Sequence, residues 1–154
     1  MKNQIIPLDY ANSLMYDLEK SFWDERGKGA RFRTTTVGNE YFVEKCLPLI
    51  KSSKLDDVID TISGVLTSSN IAGKISFEKE DRLLRVEVEG CIHRPVEDRM
   101  IELGVEPFTC VPANILALGI EEKLDRPVEL AEIKIEDGVC KLLLVIFEER
   151  PTLE

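Results

Sequence analysis

The sequence predicts an α+β fold: an antiparallel sheet of about four strands, made of two hairpins, with four to five helices packed on it. Three observations lead there. Apolar residues recur at three-and-four spacing over the first seventy residues. The period changes to two at Ile75. The stretch Val139 to Phe147 is a nearly unbroken run of large apolar side chains. A chain of 154 residues is the size of one domain, taken as 1–154.

In chain order, Leu8 to Arg26 reads as an amphipathic helix whose core stripe is Leu8, Ala11, Leu14, Met15, Leu18 and Phe22, with Gly27 as its stop. Val37 to Lys51 reads as a second helix. Pro48 removes a donor and crowds the preceding turn, so a kink or early stop is expected there. A third helix starts near Leu55, with Ser52 or Ser53 as its cap and Val58, Ile59, Ile62, Val65 and Leu66 as its stripe.

Ile75 and Phe77, then Leu84, Val86 and Val88, alternate with polar residues and predict a hairpin turning at Lys79 to Arg82. Pro95 to Gly104 reads as a short helix, with Val96, Met100, Ile101 and Leu103 as its apolar side. Thr109 or Cys110 opens a further helix with Pro112 in its first turn. Gly119 inside that helix costs about 1 kcal/mol against alanine, which points to close approach of another backbone or a ligand. The second hairpin changes parity between Leu130 and Ile133, implying a bulge near Ala131. Its last strand is expected to be central and covered on both faces.

Composition narrows the function. The net charge of -9 disfavours nucleic acid and anionic membranes as main partners. No apolar run approaches the roughly 20 residues of a spanning helix, so no membrane span is expected. Pro7 and Asp9 break any signal-peptide core, and the protein is read as cytoplasmic. In that compartment four cysteines are buried thiols or metal ligands sooner than a disulfide framework. Lys28, Arg31 and Arg33 could together hold one anionic group.

Chemistry concentrates between Glu89 and Cys140, which holds three cysteines and the single histidine, His93. Cys91, His93, Cys110 and Cys140 are all types that bind zinc, though without the compact pairing of common zinc modules. A Cys110–His93 dyad would give a thiol-dependent hydrolase or a reductase, provided His93 deprotonates the thiol. An apolar pocket is the third option, lined by Phe22, Trp23, Phe108, Ile115 and Leu118, with His93 and Cys110 as polar points. The same residues could equally be filling a core.

The segments Gly104-x-x-Pro107-x-x-Cys110, Gly119, Pro127-Val128-Glu129 and Asp137-Gly138-Val139-Cys140-Lys141-Leu142 resemble the 4-vinyl reductase, or hydrocarbon-binding, domain family. The likeness covers roughly the C-terminal half. The family is similar in fold to transport-particle tethering subunits and haem-based nitric-oxide sensors, and its members look like small-molecule binding modules, often dimeric. The resemblance therefore implies a homodimer that binds a small apolar or aromatic ligand, or an assembly subunit like the tethering proteins. It also implies metal ligands at Cys110 and Cys140. Glu132 stands where a further family cysteine usually lies, and Cys91 could complete a zinc set of Cys91, Cys110, Glu132 and Cys140.

Overall fold

The computed structural model describes residues 5–148. Its helices are α1 (Leu8–Arg26), α2 (Asn39–Tyr41), α3 (Leu55–Ser68), α4 (Arg94–Glu102) and α5 (Val111–Leu124). Its strands are β1 (Lys74–Glu80), β2 (Leu83–Glu89), β3 (Val128–Glu136) and β4 (Val139–Ile146). They form one antiparallel sheet in the order β1-β2-β4-β3, so the two predicted hairpins join through β2 and β4. The fold is α+β, as the period change indicated. No helix among the described residues is long and apolar enough to cross a membrane.

The sheet buries one face. Val86, Val88, Cys140, Leu142 and Leu144 point inward, and the paired residues Ile133 and Ile135 share that side. β4 is central as expected, but only alternate residues along it are buried. Lys141, Leu143 and Val145 are half-buried on the outer face beside Arg85, Glu87 and Lys134. Long charged side chains on neighbouring strands shelter that apolar surface, so no second helical layer is required. The bulge falls between Leu130 and Glu132. The turn into β4 uses Asp137 and Gly138, both at positive φ, the geometry that suits the twist of a two-residue hairpin.

α5 lies against the inner face and is apolar nearly all round: Ala113, Ile115, Leu116, Gly119 and Ile120 are buried. A helix of that kind belongs in the interior. α3 packs on α5 through Val58, Ile59, Ile62 and Leu66. Gly119 does serve a close approach, though to side chains: a Cβ there would collide with Ile62 Cδ1 and meet Val58 Cγ1 at 3.3 Å and Phe42 Cε1 at 3.4 Å.

The second helix departs from expectation. After the single turn of α2, Phe42–Cys46 is wound as a π-helix and Leu47–Leu49 as a 3-10 turn. In a continuous α-helix Pro48 could not donate to the Glu44 carbonyl, and its ring would press on it; the wider turn upstream relieves that crowding. Ser52 does not cap α3 directly. Its hydroxyl accepts from Lys54 N at 3.0 Å and reaches Asp57 Oδ2 at 2.7 Å, fixing the turn that leads in.

α1 has the predicted limits and a different inward face. Leu8, Leu14 and Leu18 are exposed, Leu18 at 72%, while Asn12 is its buried residue and Tyr16, Phe22 and Trp23 are half-buried. These aromatics join Ala30, Met100, Val105 and Phe108 in a small second core. α4 likewise buries Val96, Glu97 and Met100, leaving Ile101 and Leu103 outside.

Candidate functional site

Two features emerge from this frame, a buried cluster of thiols around Glu97 and an open apolar groove beside α1. The predicted site residues divide between them.

The cluster forms where the start of α4, the start of α5 and β4 meet. The Cys91 carbonyl accepts from Arg94 N at the entry to α4, and the Cys110 carbonyl accepts from Asn114 N at 2.9 Å in the first turn of α5. Cys140 donates its S–H to Glu97 Oε2 at 3.5 Å. All three cysteines and Glu97 are buried. Burial, then the nearby Glu97 charge, holds the Cys110 thiol well above the ordinary thiol range, and the same two causes push Cys140 up to about 12. Cys91 is also raised, mainly by burial. Glu97 itself rises to about 7, because burial outweighs its bond from Cys140 and the Arg94 charge. The three thiols hold their protons, the reverse of an activated thiolate.

Glu132 does not join them. It pairs with Leu143, on the opposite face of the sheet from Cys140, and is exposed. Among the described residues no group of three or more His, Cys, Asp or Glu is placed to hold a metal ion. The donor types would suit zinc, but with Glu132 on the opposite face of the sheet the predicted set of four is not brought together.

The hydrogen-bond partner of His93 is Asn12, and no hydrogen bond joins it to Cys110 among the described residues. Asn12 on α1 donates through Nδ2 to the Ile92 carbonyl at 2.8 Å, which leaves its Oδ1 facing His93 Nδ1 at 3.4 Å. Oδ1 can only accept, so Nδ1 carries the proton and Nε2 the lone pair. Burial lowers the His93 pKa, keeping the ring neutral. Its role in this structure is to tie α1 to the turn before α4.

The groove runs between α1, the segment from Arg33 to Val37, and the entry to α5. It encloses about 370 Å³ and is lined by Met15, Leu18, Phe22, Val37, Phe108 and Val111, with Glu19, Arg33, Thr34 and Thr109 as its polar points. Such a size and lining suit a small apolar ligand. Of the predicted pocket, Phe22 and Phe108 line it. Trp23 stands behind, its ring 5.7 Å from that of Phe108. Cys110 and Ile115 are sealed in the main core, and Leu118 packs against it. Arg31 donates to the Leu130 carbonyl at the β3 bulge, so it is not part of an anion site with Lys28 and Arg33.

Asn114 holds the far wall of the groove. It is buried, and its Nδ2 lies 2.9 Å from the Thr34 carbonyl, 3.1 Å from that of Val37 and 3.4 Å from Thr109 Oγ1. An amide has two N–H donors, so the two shorter bonds to the loop backbone are the working pair. Replacing Asn114 by alanine should cost about 2 kcal/mol, measured by denaturant unfolding, because a buried donor pair is lost and a small void opens. Amide exchange at 34–37 should rise with it.

Asn114, Glu97, Glu19 and Asn12 were not singled out from the sequence. The available signal was an uncharged polar residue amid the apolar run of α5, and it marked only Asn114. Comparison with protein-family models, curated proteins and solved structures finds no match to this chain.

Proposed function

We propose that the protein is a binding module for a small apolar or aromatic molecule, captured in the groove between α1, the segment from Arg33 to Val37, and Phe108. The observation that carries this reading is the groove itself: an open concavity lined by six apolar side chains, Leu18 and Val37 exposed, Met15, Phe22 and Val111 half-buried and Phe108 at its floor, on a strongly charged chain. An exposed concave apolar surface loses free energy by taking up a ligand, at roughly 25 cal/mol for each Å² of apolar area covered. The resemblance to hydrocarbon-binding domains agrees in ligand class, although the groove lies to one side of the cysteines that carry the resemblance.

Trp23 is the single tryptophan and stands next to Phe108, so binding should change its emission. Titration with a simple aromatic such as naphthalene should give a saturable change in wild type. Leu18→Asp, a substitution at an exposed position, should weaken it about tenfold by charging the groove wall. A saturating response unaltered by Leu18→Asp would place the ligand elsewhere. No response, together with a stable dimer in sedimentation, would favour the assembly-subunit reading, with a second copy covering the groove.

A further inference from the structure

We infer that the groove is selective for a hydrophobic amine, whose ammonium group pairs with Glu19 while its apolar body lies against Phe22, Met15 and Phe108. This rests on the apolar-ligand reading above and specifies the ligand class.

Two charged groups stand on the groove, and they are not equivalent. Arg33 is exposed on the loop bank, where water solvates its guanidinium at little cost. Glu19 is half-buried on α1, between the apolar lining and the interior. Among the described residues neither a hydrogen bond nor an ion pair reaches its carboxylate, and Arg33 is not within ion-pair range. The charge that acts on it is that of Glu97, of the same sign. Burial first, and that repulsion second, raise Glu19 to about 7. The groove therefore carries an acceptor that lacks its cation.

The surroundings favour an organic cation over a bare one. Two of the lining residues, Phe22 and Phe108, are aromatic, and aromatic rings attract an ammonium group lodged against their faces. The rest of the lining has no further oxygen donors of the carboxylate kind, which a hard metal ion would require. The overall charge of -9 draws cations toward the surface and repels acids. A ligand with one ammonium group and an apolar tail satisfies Glu19 and covers the lining together. An apolar acid directed at Arg33 would satisfy the group that needs a partner least.

The test uses three probes with one carbon skeleton, 4-phenylbutylamine, 4-phenylbutan-1-ol and 4-phenylbutyrate, titrated into the intact protein at about pH 8, where the amine is charged and Glu19 ionised. The amine should bind about tenfold more tightly than the alcohol, and the acid most weakly. In Glu19→Gln the amine and alcohol should agree within about twofold while alcohol binding persists, since Gln keeps the shape and loses the charge. Equal binding of amine and alcohol to wild type, or preference for the acid, would overturn this inference and leave the groove reading standing. An amine preference that survives in Glu19→Gln would also overturn it. Failure of all three to bind would remove the groove reading itself.

Discussion

Gly119→Val should destabilise the protein by about 3 kcal/mol, at the upper end of what overpacking a core costs. α5 crosses α3 at this residue, and even a methyl group would drive into Ile62 while touching Val58 and Phe42. Ile62 and Val58 have no exposure, so neither can swing out to make room. Gly119→Ala should be milder. It gains about 1 kcal/mol of helix propensity, which offsets part of the collision, and Ile62 Cδ1 is the far end of a side chain able to turn slightly. Urea unfolding of both variants measures the order. A Gly119→Ala protein more stable than wild type would show that the contact with Ile62 is loose. Because the groove is formed by other residues, ligand binding by the folded fraction should be unchanged.

Stability should also fall as pH rises through neutrality. Glu97 has a folded value of about 7 against an ordinary 4.5, so between those limits the folded chain binds a proton that the unfolded chain releases. The stabilisation from this group is then fully present below about pH 4.5 and is lost as pH passes about 7. The full shift corresponds to roughly 3 kcal/mol. Glu19 shifts in the same direction and reinforces the trend. Glu97→Gln should flatten the dependence and be more stable than wild type at about pH 8, since an amide oxygen still accepts from Cys140 without a buried charge. Thermal unfolding of both proteins across pH 5 to 8 checks the sign. Equal slopes in the two would mean that Glu97 is ionised in the fold.

The regular elements were legible because their signals are local. The limits of α1, the bulge beside Ala131, the period-two hairpins and the central place of β4 follow from spacing and turn residues that act over a few positions. The inward face of α1 was not legible. Its leucines recur at helical spacing and read as core, yet the helix is seated by Asn12 and by aromatics one step round the wheel, leaving Leu14 and Leu18 in the open. Periodicity says that a helix has an apolar side, not that this side is the one covered. The cysteine gathering was anticipated in part. Cys91, Cys110 and Cys140 do approach one another, but the acid among them is Glu97 on α4 and not Glu132. Which face of a strand meets which helix depends on packing that no short window contains.

The position of β4 bears on how the chain acquires its shape. It follows every other described element in sequence yet sits between β2 and β3, giving each of them a hydrogen-bonded neighbour. Until it docks, β2 presents an open backbone edge with Leu84, Val86 and Val88 beside it, the kind of edge on which chains stick to one another. β3 reaches the sheet only through β4, so the second hairpin closes that edge as a unit, and it is the last described part of the chain to be made.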